Sequence, residues 1–262
     1  IQSVAMPGRV IMAPEPTFVM YRQIASVAGL EFAGVPLRTD FSLDRDIMLT
    51  AIAERQPAVI FLAYPNNPTG NLFDRDLLLD VLAHAPGLVV IDEAYAPFTD
   101  ASFMAALPAH DNLLVLRTLS KMGFAGLRLG LLAGAPGWLE QIEKTRLPYN
   151  ISSINQFTGE FALEQREVFD AQATDIRASR ARLFAGLEAI PGIELFPSEA
   201  NFILFRVPAG RGQGIFAGLK SRGVLIRNLD GSAPALRDCL RVTVGTPEEN
   251  AAFLAALTEA MG

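Results

Sequence analysis

The chain has 262 residues, half of them hydrophobic and 19% charged, with a formal net charge of -6 and an isoelectric point near 5.1. So much apolar material excludes a disordered chain and can supply a core for two packed lobes. An acidic balance with scattered Lys and Arg argues against a nucleic-acid partner, and apolar runs broken by Gly and Pro offer no membrane-spanning segment.

The single cysteine, Cys239, rules out an internal disulfide framework, and no leader pattern opens the chain; both point to the cytoplasm. His84 and His110 are the only histidines, with no HExxH and no paired cysteines, so no metal is expected. The chain starts inside a helix-like run, IQSVA, that leads to Pro7-Gly8. It reads as though an N-terminal part of the domain precedes it.

In chain order, short apolar runs predict strands at Val10-Ala13, Glu31-Pro36, Ala58-Tyr64, Leu88-Asp92, Asn112-Thr118 and Leu129-Ala133. Their unbroken apolar character suits strands buried on both faces. Helical patterns fall between them at Phe18-Ala28, Leu43-Arg55 and Asp74-His84, with Asp44, Asp74 and Asp76 in first turns and His84 at a helix end, where the dipole favours each charge. This rhythm predicts a mostly parallel α/β sheet sandwiched by helices. From Ser152 towards Ile190 one long helix is expected, closed by Pro191-Gly192. Strands at Asn201-Val207, Val224-Arg227 and Cys239-Val244 and a last helix over Pro247-Met261 follow. They make a smaller α+β domain, with the large domain over 1-160 and the small one over 161-262. The glycines of Gly210-Arg211-Gly212-Gln213-Gly214 miss the dinucleotide spacing and are expected only to turn the chain.

Ligands of open α/β sheets bind beyond the carboxyl ends of the strands. There the chain places Pro65-Asn66-Asn67-Pro68-Thr69-Gly70, then Asp92-Glu93-Ala94-Tyr95, then Thr118-Leu119-Ser120-Lys121 and, after a glycine-bearing stretch, Arg128. Only three lysines occur, and Lys121 alone directly follows a buried strand. It reads either as a surface residue or as a desolvated amine nucleophile. Asp92 closes an apolar strand, where a carboxylate needs a positive partner: a structural arginine, or the ring nitrogen of a pyridine cofactor. Asn67 could be ordinary turn chemistry. Arg128 could be a surface arginine or, with Thr118 and Ser120, a phosphate site. Arg241 taken alone could form a cross-strand salt bridge.

AYPNNPTG (63-70), VIDEAY (90-95), RTLSKMGFAGLRLG (117-130), ANFILFR (200-206) and CLRVTVGTPEEN (239-250) together resemble the class I/II aminotransferase superfamily of fold-type I pyridoxal phosphate (PLP) enzymes. The resemblance spans essentially the whole chain. It implies pyridoxal 5'-phosphate held covalently by Lys121, which would also carry the substrate proton. It further implies Asp92 on the pyridinium, Tyr95 and Asn67 on the phenolic oxygen, Phe18 stacked on the ring, and Thr118, Ser120 and Arg128 on the phosphate. Arg241 would pair with the substrate carboxylate, with Arg227 and Tyr149 also on the substrate side. The spacing from Lys121 to Arg128 is one residue shorter than in many members, which implies a tighter loop. The implied activity moves the amino group of L-histidinol phosphate to 2-oxoglutarate, in a homodimer. Alternatives are a threonine-phosphate decarboxylase, an aromatic amino-acid aminotransferase, or a PLP-binding domain without turnover.

Overall fold

Six strands form the main sheet of the computed structural model, which describes residues 1–262: β1 Val10–Glu15, β2 Glu31–Pro36, β3 Val59–Ala63, β4 Leu88–Asp92, β5 Leu113–Thr118 and β6 Gly130–Gly134. Their spatial order is β2-β1-β3-β4-β5-β6. The first five are mutually parallel, and β6 closes the edge antiparallel to β5. Alternate residues serve opposite faces. Met12, Ile60, Leu62, Val89, Ile91 and Val115 pack on one side with α2 (Arg45–Arg55) and α3 (Arg75–His84). Ile11, Val59, Phe61, Val90 and Leu114 pack on the other with Tyr21 and Ala25 of α1 (Met20–Val27) and, at their margin, Leu139 and Ile142 of α4 (Pro136–Glu143). The uninterrupted apolar strands are thus explained by burial on both faces.

The long helix expected over Ser152-Ile190 is two helices, α5 Ser153–Glu164 and α6 Arg166–Glu188, separated at Gln165. No Pro or Gly marks the break. Instead, the two halves serve different contacts: Asn155 of α5 donates to the Leu127 carbonyl (2.9 Å), whereas Arg180 of α6 donates to the carbonyls of Phe98 (3.0 Å) and Ala200 (2.8 Å). Arg180 thereby joins the segment after β4 to the approach to the second sheet.

That second sheet is antiparallel, β7-β8-β10-β9, built from Glu194–Leu195, Phe202–Arg206, Cys239–Thr243 and Arg227–Asn228. Ile203, Phe205, Leu240 and Val242 pack against α6, α7 (Gly212–Ser221) and α8 (Pro247–Met261), whereas Leu204 and Cys239 join the main core. The strand expected at Val224-Arg227 starts only at Arg227 and runs to Asn228, because Val224 N–H turns back to the Leu219 carbonyl at the end of α7. The glycine run does more than turn the chain. Gly210 does so at φ +77°, but Gly212 begins α7, with its N–H and that of Gly210 bonded to the Asp238 carboxylate (2.9 and 3.0 Å). A cap supplied from 26 residues away leaves no local signature. No helix is long and apolar enough to cross a membrane.

Asp44 and Asp74 are N-caps rather than first-turn residues, each accepting from the backbone N–H three residues on, and Asp76 lies in the first turn. His84 sits in the last turn of α3 with Nδ1 2.8 Å from the Asp80 carbonyl. Replacing Asp74 by Ala leaves a helix N–H without its acceptor and is expected to cost about 1 kcal/mol in urea unfolding.

Candidate active site

Strand ends and one helix start converge on a cleft lined by Phe18, Tyr21, Pro65, Asn67, Asp92, Tyr95 and Lys121, with about 340 Å³ of empty space. A larger cavity lies elsewhere, an apolar groove lined by Ile1, Phe61, Leu116, Trp138 and Ile142 among others. No charged side chain reaches that groove, so the chemistry belongs to the smaller cleft.

Asp92 ends β4 with its carboxylate buried. One oxygen accepts from the Ala94 N–H (3.0 Å) and the other from the Tyr21 hydroxyl (2.5 Å). An ionised carboxylate has about four acceptor positions, so the group can still receive a donor from the cleft. Burial raises its pKa above the ordinary carboxylate value, opposed by the Tyr21 and Ala94 hydrogen bonds and by the charge of Lys121. The Tyr21 hydroxyl is pushed well up, first by burial and then by Asp92. Tyr21 was not among the expected residues. Its sign in the sequence is a tyrosine on the apolar face of a short helix, whose buried hydroxyl must find a partner.

Lys121 lies in a short 3-10 turn, Leu119–Met122, started by the Thr118 hydroxyl accepting from Ser120 N–H. Its ammonium is 5.0 Å from the centre of the Tyr95 ring. Burial depresses its pKa below that of a free lysine, the Arg241 charge lowers it further, and Asp92 partly offsets both. A less protonated amine is a better nucleophile and base. Burial likewise raises the Tyr95 phenol.

Asn67 meets Arg241 of β10: the guanidinium donates to the amide oxygen at 2.5 Å. The same guanidinium lies 4.5 Å from the Phe202 ring, which packs edge-on against Tyr95 at 5.2 Å. Arg241 Nε is buried with no partner. An unpaired buried donor on a charged group is costly, and an anion in the cleft would satisfy it. Arg227 pairs in register with Arg241 across β9 and β10 and is exposed.

Thr118 and Ser120 bring their hydroxyls to 2.9 Å. Arg128 ends the tight loop after Lys121, which Gly123 (φ +91°) and Arg128 itself (φ +53°) turn through the left-handed region. Its guanidinium faces the Ala125 carbonyl at 3.4 Å, outside the cleft lining. Tyr149 is 99% exposed and is not brought to the cleft either. The structure therefore assembles Phe18, Asn67, Asp92, Tyr95 and Lys121 around one space, with Arg241 beside Asn67.

Glu93 was not anticipated. Fully buried, it accepts from Arg117 Nε and Nη2 (2.9 and 2.8 Å), the Ser102 hydroxyl and the Phe103 N–H. Residues 92 and 93 leave β4 on opposite faces, so this ion pair fastens the ends of β4 and β5 behind the cleft. Asn66, also fully buried, does the same for the cleft's rim, bonding Thr17, Thr69 and the Pro16 carbonyl.

Residues 1–257 match the family described as aminotransferase class I and II. The chain is 57% identical over 255 residues to histidinol-phosphate aminotransferase 2 of Nitrosococcus oceani, covering 97% of this chain and 71% of that protein. Among solved structures, histidinol-phosphate aminotransferase from Sinorhizobium meliloti in complex with pyridoxal-5'-phosphate superposes with a TM-score of 0.87 at 25% identity, over 98% of this chain and 72% of that one. The enzyme of that name from Clostridium acetobutylicum shares the fold with a TM-score of 0.91 at 22% identity, over 99% and 79% of the two chains.

Two outcomes follow from the electrostatics. Labelling of Lys121 by an amine-reactive reagent, followed by peptide mass spectrometry across pH, should show a midpoint below that of a free lysine. Asp92 has a raised pKa, so its ionised form opposes folding once pH exceeds the unfolded carboxylate value. Asp92→Asn should therefore raise the melting temperature of cofactor-free protein at pH 7 and leave it little changed at pH 3.

Proposed function

The chain belongs to the class I and II aminotransferase family, and we propose that it transfers the amino group of L-histidinol phosphate to 2-oxoglutarate through pyridoxal 5'-phosphate. Imidazole acetol phosphate and L-glutamate are the products, in histidine biosynthesis in the cytoplasm. The observation that carries the reading is the cleft itself: an amine of lowered basicity, a buried carboxylate with acceptor capacity to spare, and an arginine with an unpaired buried donor. The name of the 57% identical relative supports the choice of substrate.

These residues fit the cofactor. Lys121 would hold its aldehyde carbon, Asp92 its ring nitrogen, Tyr95 and Asn67 its phenolic oxygen, and Phe18 one face of its ring. Thr118 and Ser120 would take the phosphate, with Arg128 swung from the Ala125 carbonyl. When bound, PLP supplies a ring that accepts the electron pair left at the substrate Cα. Lys121 Nζ would take the substrate Cα proton, and its lowered pKa leaves more of the amine unprotonated for that task. Arg241 binds the carboxylate of the keto acid with paired N–H donors, one of them the orphaned Nε. Phe202 and Asn67 fix the plane of that guanidinium. Arg227, paired with Arg241 across β9 and β10, would lie on the substrate side, and Tyr149, exposed in this structure, would have to move in from solvent to join it. Residues 1-160 form the cofactor domain in this reading, and 161-262 the small domain.

Homodimerisation accompanies the proposal. Ile154, Phe157 and Phe161 project one exposed apolar stripe from α5, and Leu147 and Tyr149 are exposed nearby in the chain. Such a patch supports a contact surface for a second copy of the chain. Sedimentation showing only monomer at micromolar concentration would refute the dimer.

The deciding experiment is the absorbance spectrum of protein mixed with PLP, before and after L-histidinol phosphate, for wild type and Lys121→Ala. The wild type should develop a lysine-dependent band that bleaches with the amine donor, whereas the variant should not. A band indifferent to L-histidinol phosphate but responsive to threonine phosphate or phenylalanine moves the substrate to a sister enzyme. A band that no amine changes supports the non-catalytic domain. Arg241→Lys keeps the charge but loses the paired geometry, and should raise the KM for 2-oxoglutarate about 30-fold while leaving PLP affinity unchanged.

A further inference from the structure

We propose that Tyr21 is a positioning residue of the cleft, its hydroxyl orienting the Asp92 carboxylate and its ring bracing Phe18. This rests on the PLP reading above. Tyr21 lies one turn beyond Phe18 and meets it edge-on at 5.5 Å. Its ring stacks on Phe61 of β3 at 4.7 Å and 18°, and the residue is 5% exposed. Packed in this way, the ring cannot turn its hydroxyl aside. The bond to Asp92 at 2.5 Å falls in the range of a charge-assisted hydrogen bond.

Asp92 has only one other donor, the Ala94 N–H on its second oxygen. With both oxygens tied, the plane of the carboxylate is fixed. With Ala94 alone, the group is free to rotate about that single bond. The groups that face Asp92 are Tyr21 from α1, Lys121 from the turn after β5 and Tyr95 beyond β4, while neighbouring Glu93 is turned to the opposite face and paired with Arg117. Tyr21 is therefore the one side chain that donates to Asp92, and this neutral donor favours the ionised form that a protonated ring nitrogen requires.

The test is Tyr21→Phe, which keeps the ring and removes the oxygen. Two quantities are measured: the 13C-detected carboxyl titration of Asp92 in cofactor-free protein, and the dissociation constant for PLP from pH 5 to 8. Loss of the hydroxyl should raise the Asp92 midpoint by about one pH unit. PLP affinity should then decline on acidification from a correspondingly higher pH, with a loss of about tenfold at the acid end and little at pH 8. Asp92→Asn should weaken PLP at every pH. If Tyr21→Phe does not fold without cofactor, 3-fluorotyrosine at position 21, a stronger donor, should lower the midpoint instead. An unchanged midpoint together with an unchanged pH profile of PLP affinity overturns the proposal. If the wild type takes up no PLP, the reading of the cleft fails, and the carboxyl titration still decides the role of Tyr21.

Discussion

Asp92 puts a negative charge at the end of a strand that the chain has covered on both sides. Water does not compensate it, so the surrounding elements do: α1 supplies a phenol, the turn beyond β4 supplies an N–H, and the turn after β5 supplies an ammonium nearby. Each of these elements is also part of the cleft wall. Satisfying one carboxylate therefore ties α1 to the end of β4, with the charge of the Lys121 turn facing them. The arrangement disfavours the ionised acid while the cleft is empty and favours a cation placed against it. A group that opposes folding alone and promotes binding is what a cofactor site requires of its residues.

Behind the sheet, Glu93 and Arg117 apply a second constraint of opposite character. Their charges are matched and hydrogen-bonded, with Ser102 and the Phe103 N–H completing the set. Alternation along β4 separates the two carboxylates by one residue and one sheet face. Asp92 keeps spare acceptor capacity and Glu93 is saturated, so the adjacent acids in IDEAY divide into one open to the cleft and one committed to structure.

Much of this was legible in the sequence because the signals were local. The six strands follow from runs of four to seven residues, and the strand-end motifs placed Asn67, Asp92, Tyr95 and Lys121 within a few positions of such runs. What was not legible depends on contacts between distant segments. The break at Gln165 has no Pro or Gly. The cap on α7 comes from Asp238, and α4, absent from the expected helices, is held at the margin of the sheet face by Leu139 and Ile142. The hydroxyl of Tyr21 is 71 residues from the carboxylate it serves, and only the parallel sheet brings them together. Arg128 and Tyr149 show the converse: motif position named them, while the structure leaves one on a backbone carbonyl and the other in solvent.

Arg241 reaches Asn67 across 174 residues, and its supporting ring, Phe202, belongs to the second sheet. Every side chain expected to hold the cofactor lies between positions 18 and 128, well ahead of it in the chain. Ribosomal synthesis runs from the N-terminus and domains fold as units as they emerge. The nascent chain therefore carries its amine, its carboxylate and most of its aromatic wall long before it has the arginine that stands beside Asn67. Yet Leu204 and Cys239 are part of the main core, so the cleft takes its final shape only when the last strands have been made.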